Sequence, residues 1–370
     1  MNIKFVDIQR QNNKYRKEFL LAFQRVFDEA AYTFGPYMEE FERSFAKYCG
    51  KKYAIGVNSG VDGLKLSLIG YGIKEGDEVI TTPNSYFGTS MVISNINAVP
   101  VFVDIDPTTY TINAANIEKA ITKKTKAIIP VHLYGQPAQM DVILVLAKKY
   151  NLVVIEDACQ AHGSRFNNRI VPVGETGVFS FYPGKNLGAF GDGGIIVTDN
   201  AKLAQDLLYL RNDGSREKYI HPMFGYKSRL DAIHASVLSE KLKYLDEWNE
   251  MRRKNASIYT NFLQKIPGVV TPQEAKDAYH VYHIYTIECK NRDKLQSYLK
   301  ENGIEVNIHY PIPIHLQEAY KQQGYRAGMF PITEEKADRI LSLPMFPELT
   351  EKEIEFVCKK IKDFFDSFSS

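Results

Sequence analysis

Seven short apolar runs constrain this chain more than any other feature. They are 53–57 (YAIGV), 78–82 (EVITT), 100–104 (PVFVD), 126–131 (KAIIPV), 152–156 (LVVIE), 178–182 (VFSFY) and 195–198 (IIVT). Helical stretches such as 61–70 and 138–150 separate the first five. Alternation of this kind predicts an α/β layer around a mostly parallel sheet. The runs are apolar throughout, as expected of strands covered on both faces. Before them, residues 11–48 read as helices, with Phe19, Leu20, Phe23, Val26 and Phe27 at helical spacing. Gly35-Pro36 breaks that pattern, and Phe41, Phe45 and Tyr48 mark a second helix. After them, 232–265 forms one long helical pattern through Ile233, Val237, Leu238, Leu242, Leu245 and Trp248, with no internal Pro or Gly. A strand at 281–289, a helix at 292–302, a strand at 304–308 and helices at 333–341 and 350–365 complete a smaller α+β unit. With 370 residues and ~150 per domain, two domains are expected. They are 1–245, with the N-terminal helices and a seven-stranded sheet, and 246–370.

The composition is that of a globular chain: 44% hydrophobic and a net charge of +2. Near-neutrality gives no electrostatic case for nucleic acid or a membrane surface. No stretch approaches ~18 uninterrupted apolar residues. The N-terminus is too polar for a secretory signal. Cys49, Cys159, Cys289 and Cys358 show no C-x-x-C spacing. The expectation is a reducing, cytoplasmic location. The histidines form no H-E-x-x-H or Cys/His cluster, so no metal site is expected.

In open α/β sheets, ligands sit at the carboxyl ends of the strands, and three features fall there. Asn58-Ser59-Gly60-Val61 lies between a strand and a helix, where free N–H groups and the helix dipole favour a phosphate. A serine there is equally an ordinary N-cap. Asp157 follows strand 152–156; such a carboxylate can cap a helix, pair with lysine or serve a site. Lys185 sits in F-S-F-Y-P-G-K-N-L-G-A-F-G-D-G-G (179–194), among glycines that allow close backbone approach. A lysine held in such a pocket can lose its proton and act as a nucleophile. Phosphate cradle, carboxylate and lysine together are what pyridoxal 5'-phosphate requires. One opposite charge at ~4 Å and an effective dielectric of ~20 contributes ~4 kcal/mol. That is ~3 pKa units, enough to keep a pyridine nitrogen protonated near neutrality.

G-P-Y-M-E-E-F-E (35–42), N-S-G-V-D-G-L (58–64), T-P-N-S-Y-F (82–87), E-D-A-C-Q-A-H-G (156–163), the 179–194 segment, G-Y-K-S-R-L-D (225–231) and H-Y-P-I-P-I-H (309–315) occur in the order of a known family. The chain resembles the fold type I, aspartate-aminotransferase-like, PLP-dependent sugar aminotransferases of the DegT/StrS-like group. The resemblance runs essentially end to end. It implies that Lys185 holds the cofactor covalently and shuttles the proton. It implies that Asp157 meets the pyridine nitrogen and Gln160 the ring hydroxyl. Ser180, Gly60 and Val61 would contact the phosphate. Phe87 matches the aromatic that stacks on the ring, with Tyr86 as its competitor. Tyr182, His309, Tyr310 and His315 match residues facing the sugar. Lys227 stands where the family has an asparagine that reaches the phosphate from the neighbouring subunit, and Val61 where it has threonine. A homodimer with shared active sites follows.

The resemblance also implies a two-stage exchange. L-Glutamate gives its amine to the cofactor, which passes it to a keto carbon of a nucleotide-linked 6-deoxyhexose, for an amino sugar of a surface glycan or natural product. H-L-Y-G-Q-P (132–137) and the two long motifs look most like members that aminate carbon 3 of a dTDP-3-keto-6-deoxyhexose; amination at carbon 4 is the alternative. A dehydratase of the same fold would carry His in place of Lys185. A nicotinamide-dependent oxidoreductase would need G-x-G-x-x-G between strand and helix, and Gly70-Tyr71-Gly72 lies in the wrong context. A non-catalytic sugar-binding protein would have no need of Lys185, Asp157 and Gln160 together.

Overall fold

A computed structural model describes residues 1–367. The chain begins with helices α1 (Ile8–Lys14), α2 (Arg16–Asp28) and α3 (Pro36–Tyr48). Then come β1 (Tyr53–Val57), α4 (Gly60–Gly70), β2 (Glu78–Thr81), α5 (Gly88–Asn95), β3 (Val99–Phe102), α6 (Ala114–Ala120), β4 (Thr125–Ile128), α7 (Met140–Tyr150) and β5 (Val153–Asp157). A hairpin, β6 (Arg165–Phe166) and β7 (Arg169–Ile170), precedes β8 (Thr176–Ser180), β9 (Gly194–Thr198), α8 (Ala201–Leu210), α9 (Ala232–Leu242) and α10 (Leu245–Leu263). The remainder holds β10 (Val269–Val270), β11 (Ala278–Tyr279), β12 (Tyr285–Cys289), α11 (Arg292–Glu301), α12 (Pro331–Arg339), β13 (Ile340–Leu343) and α13 (Glu351–Asp366).

The seven expected runs form one sheet in the order β1-β9-β8-β5-β4-β2-β3. Neighbours from β8 to β3 pair in parallel, and β9 runs antiparallel to both β1 and β8. That reversal matters for the site. Gly194, the first residue of β9, lies opposite both Val57 and Ser180, the last residues of β1 and β8. Three chain segments thus meet at one edge.

Buried Ile, Val and Leu side chains of β1, β2, β4, β5, β8 and β9 pack against α4, α5 and α8 on one face. On the other face β8 and β9 pack against α3 and α9, and β2, β4 and β5 against α6 and α7. The second sheet, β10-β12-β13, packs with α10, α11 and α13 around a separate core that includes Tyr259, Tyr285, Leu295 and Ile361. Ile3 belongs to that second core and bridges Ile304, so the first residues leave the 1–245 unit in which they were expected. Arg10 reinforces this docking with hydrogen bonds of 2.9 and 2.6 Å to Glu353, the capping-box residue of α13.

Four further expectations are corrected. The 232–265 helix breaks at Lys243-Tyr244, where the Tyr244 ring turns in against Tyr15 and Trp248, 4.3 and 5.8 Å between centroids. The stretch 304–308 forms only isolated bridges, through Ile304 and Asn307. The helix expected to reach 341 ends at Arg339, and fully buried Ile340–Leu343 joins β12 as a strand. On α2, Phe19, Ala22 and Val26 face the core, whereas Leu20, Phe23 and Phe27 are 53%, 42% and 62% exposed. No helix among the described residues is long and apolar enough to cross a membrane. No group of His, Cys, Asp or Glu among them is arranged to hold a metal ion. All four cysteines are free thiols.

Candidate active site

A cavity of about 480 Å³ opens where the carboxyl ends of β1, β5 and β8 converge. Ser59, Gly60, Val61, Tyr86, Asp157, Gln160, Ser180, Tyr182, Lys185, Asp192, His309 and Tyr310 are among its walls. The elements place these groups for identifiable reasons. Ser59 caps α4 by accepting from the Asp62 N–H at 3.0 Å. The N–H groups of Gly60 and Val61, at the cavity wall, have no recorded partner among the described residues. A Cβ on Gly60 would stand 2.5 Å from Cys159 Sγ and 2.9 Å from Ser180 Cβ. A Cβ on Gly194 would stand 2.3 Å from the Ser59 carbonyl carbon. Only glycine at both positions lets the β1–α4 turn close onto β8 and β9, which shapes a concave cradle of free donors.

Asp157 is 4% exposed at the end of β5. Thr89 donates to one carboxylate oxygen at 2.8 Å and the Cys159 N–H to the other at 3.2 Å. Thr89 is fixed in turn by Ser85 at 2.9 Å. Gln160 accepts from the Tyr134 N–H through Oε1 at 2.8 Å, so its Nε2 is directed to Tyr310 Oη, 3.1 Å away. Lys185 projects from the turn that follows β8. Burial lowers its pKa below the ordinary lysine value, opposed by the nearby Cys159 and Asp157. The next residue, Asn186, anchors that turn. Its amide donates to Asn249 Oδ1 at 2.9 Å and to the Val281 carbonyl at 3.2 Å. His283 Nδ1 lies 3.1 Å from its oxygen. Burial and the Lys185 charge push His309 down to about 4, so this histidine is neutral at pH 7. Its Nδ1 lies 2.9 Å from Ser342 Oγ and its ring stacks on Phe5.

Gly60, Val61, Asp157, Gln160, Ser180, Tyr182, Lys185, His309 and Tyr310 therefore meet at one cavity. Three expected residues do not reach it. Phe87 turns away to pack edge-on against Tyr320 in a cluster with Phe102 and Phe330, while its neighbour Tyr86 lines the cavity, 57% exposed. His315 is 1% exposed, with Nε2 3.0 Å from Glu334 and its ring against Phe330. A carboxylate partner and an aromatic wall hold it in the packing beneath. Lys227 is exposed and bridges Asn212, outside the cavity of its own chain. Thr89, Tyr134, Asn186 and Asp192 were missed. The Ser85/Thr89 pair at i, i+4 was the one legible signal among them.

These residues fit pyridoxal phosphate. The free amides at the head of α4 suit its phosphate, the buried carboxylate its ring nitrogen, and the lysine of lowered pKa its aldehyde. A family model described as the DegT/DnrJ/EryC1/StrS aminotransferase family matches residues 13–362. The chain is 45% identical over 372 residues to the "Pleiotropic regulatory protein" of Geobacillus stearothermophilus, covering 100% of both. It is 45% identical over 363 residues to the dTDP-3-amino-3,6-dideoxy-alpha-D-galactopyranose transaminase of Aneurinibacillus thermoaerophilus, covering 98% of this chain and 99% of that one. Other relatives are named for UDP-linked sugars. The crystal structure of S. venezuelae DesV in complex with a ketimine intermediate superimposes with a TM-score of 0.97 at 42% identity, covering 98% of each chain. The chain belongs to the DegT/DnrJ/EryC1/StrS aminotransferase family, whose members are pyridoxal-phosphate-dependent sugar aminotransferases.

Proposed function

We propose that the chain transfers the amine of L-glutamate to carbon 3 of a dTDP-linked 3-keto-6-deoxyhexose, acting as a cytoplasmic homodimer. The observation that carries this reading is the convergence on one cavity of a lysine of lowered pKa, a buried hydrogen-bonded carboxylate and free helix N–H groups. Support for carbon 3 and for dTDP comes from the motif resemblance and from the name of the Aneurinibacillus relative.

Pyridoxal phosphate, when bound, supplies an electron sink for the carbanion formed at the amine-bearing carbon. The chain supplies the rest. The N–H groups of Gly60 and Val61 and the Ser180 hydroxyl bind the phosphate. Asp157 keeps a negative charge opposite the ring nitrogen, and Thr89 and the Cys159 N–H hold its two oxygens in place. Gln160 presents Nε2 to the ring hydroxyl because its oxygen is already bound to Tyr134. Tyr86 covers the ring face. Lys185 Nζ carries the proton between the amine-bearing carbon and the cofactor in both halves of the reaction. Its lowered pKa makes the neutral, proton-accepting form accessible nearer to physiological pH. His309, Tyr310 and Tyr182 face the sugar. A neutral His309 recognises hydroxyls by hydrogen bonding rather than charge.

Phosphate, glutamate and a nucleoside diphosphate are all anions, yet among the described residues the only Lys or Arg in the cavity wall is Lys185, against Asp157 and Asp192. The missing cations are supplied by a second copy. The segment 212–230 carries Arg216, Lys218 and exposed Lys227, and Lys227 is the residue proposed to reach the partner's phosphate cradle.

The test is a visible spectrum of the purified protein with glutamate, followed by a panel of dTDP- and UDP-linked 3-keto and 4-keto sugars. The expected result is a yellow band that glutamate bleaches and a dTDP-3-keto sugar restores, with Lys185→Ala losing the band's normal form and at least about 10³-fold in turnover. Restoration by a 4-keto sugar alone refutes the carbon-3 assignment.

A further inference from the structure

We infer that Lys241, outside the cavity wall, is a positioning residue for Lys185: its ammonium holds the far end of the catalytic turn through the Gly188 carbonyl. The inference rests on the role of Lys185 proposed above.

Lys241 lies on α9 and is 1% exposed. Its Nζ donates to the Gly188 carbonyl at 2.7 Å, and no other donor to that carbonyl is recorded among the described residues. The rings of Phe190 and Phe19 flank the ammonium, with centroids 4.7 and 5.2 Å away. No carboxylate among the described residues pairs with it. Glu240, its neighbour on α9, faces Lys243 at 2.6 Å and Arg25 of α2 at 3.9 Å. Glu42 of α3 is bound to Arg211, and His234 of α9 lies against Gly191.

The turn it grips is narrow. The Lys185 N–H bonds the Tyr182 carbonyl at 2.9 Å and the Ala189 N–H bonds Phe181 at 2.8 Å. Gly188 is folded back so far that a Cβ there would meet the Pro183 carbonyl oxygen at 2.3 Å. A shift at Gly188 therefore presses on Pro183, two residues before Lys185. Asn186 ties one point of this turn to α10 and to the Val281 carbonyl in the connection between β11 and β12. Lys241 ties the other to α9. Both anchored points, Asn186 and Gly188, lie within three residues after Lys185, and its own N–H is tied back to the Tyr182 carbonyl. The turn that presents Lys185 is thus fixed, as a group that must reach two successive positions of a proton requires.

Stability alone does not account for this lysine. Burial lowers its pKa to about 8, below the ordinary value, so the ammonium persists at neutral pH but is kept at a cost to folding stability. Methionine, of similar length and apolar, fills the space between Phe19 and Phe190 without that cost, but it cannot hold Gly188.

The experiment compares wild type, Lys241→Met and Lys241→Gln as holoenzymes. Bleaching of the cofactor band by glutamate in wild type first establishes the proposed function independently of Lys241. Four quantities are then read: cofactor bound per chain, the pH midpoint of its visible band, the bleaching rate and the melting temperature of the apoprotein. For Lys241→Met the expectation is full cofactor loading and a melting temperature within about 5 °C of wild type. Its band midpoint is displaced and it bleaches at least tenfold more slowly. Lys241→Gln, which retains an N–H donor, recovers part of the rate. A wild-type rate and midpoint in Lys241→Met overturn the inference. So does a large fall in melting temperature with an unchanged rate per bound cofactor, which marks a purely structural lysine. If the methionine variant does not fold, Lys241→Gln and a further variant, Lys241→Ala, decide together. A rate and midpoint identical to wild type with Lys241→Ala equally unaffected overturn the inference, and a graded loss from Lys to Gln to Ala supports it.

Discussion

At the scale of single residues, Asp157 is held by two donors, and the role proposed for it is to keep a charge beside the ring nitrogen. Asp157→Asn keeps the shape and removes that charge, so turnover should fall by about 10²–10³-fold, from ~4 kcal/mol of charge pairing. Cofactor content should fall less than the rate. Single-turnover bleaching with glutamate measures the first and the absorbance ratio the second. Tyr86 and Phe87 make a sharper comparison, because they are adjacent and point apart. Tyr86→Ala should weaken pyridoxal phosphate binding about three- to tenfold, the worth of one stacked ring. Phe87→Leu should leave binding unchanged and cost about 1 kcal/mol of stability through the Tyr320 cluster. Fluorescence titration with the cofactor and urea unfolding separate the two. This pair also marks the limit of what the sequence discloses. Lys185, Asp157 and the Ser59-Gly60 turn were legible because each follows an unmistakable strand. Which of two neighbouring aromatics faces the cavity depends on the backbone angles at the head of α5, where Phe87 is already helical. His315 misled for a related reason: a histidine among prolines reads the same whether it faces a sugar or Glu334.

At the scale of elements, the cradle exists because β9 returns antiparallel and brings a glycine to the β1–α4 turn. Gly194→Ala places a methyl 2.3 Å from backbone carbon and 2.6 Å from the Gly60 nitrogen, and neither can move without breaking the β1–β9 register. The expected cost is about 1–3 kcal/mol of stability, together with loss of phosphate affinity, read from urea unfolding with and without pyridoxal phosphate. Strand number and the mostly parallel pairing were legible because buried parallel strands are uniformly apolar; the antiparallel return of β9 was not. The helix break at Tyr244 and strand β13 were not. Both are set by what the segment packs against, since no Pro or Gly marks the first and Ile340–Leu343 continues a helical pattern into the second core. Docking of α1 onto α13 is a titratable element. The Arg10 hydrogen bonds hold Glu353 at about 2, below its ordinary value. A carboxylate depressed on folding contributes stability that is whole above its unfolded value of 4.5 and is lost as pH falls through about 2. Arg10→Met should remove on the order of 1 kcal/mol or less at pH 7, discounted because the Arg10 side chain is 37% exposed. It should also flatten the acid limb of a thermal-stability profile between pH 5 and about 2.

At the scale of the whole molecule, one chain leaves two apolar regions uncovered and one charge requirement unmet. Leu20, Phe23 and Phe27 form the outer stripe of α2, and Phe224 and Tyr219, 101% and 83% exposed, stand on the 212–230 segment. A stripe of this kind is costly in water and marks an interface. The segment bearing Phe224 and Tyr219 also carries Arg216, Lys218 and Lys227, while among the described residues the cavity wall has no Lys or Arg beyond Lys185. The proposed association of two copies would satisfy both conditions, burying the apolar groups and delivering cations to anionic ligands. Wild type should therefore sediment as a dimer. Phe224→Glu should shift it toward monomer and reduce activity in proportion to the monomer fraction, with its circular dichroism unchanged because Phe224 has no intrachain packing to lose. Lys227→Ala separates the two contributions: it should leave the sedimentation coefficient at the dimer value while raising the pyridoxal phosphate dissociation constant about tenfold, the worth of one charge-assisted hydrogen bond to phosphate. A fully active monomer removes the shared-site reading altogether. A dimer whose cofactor affinity ignores Lys227 keeps the interface and moves the phosphate contact to another cation of the 212–230 segment.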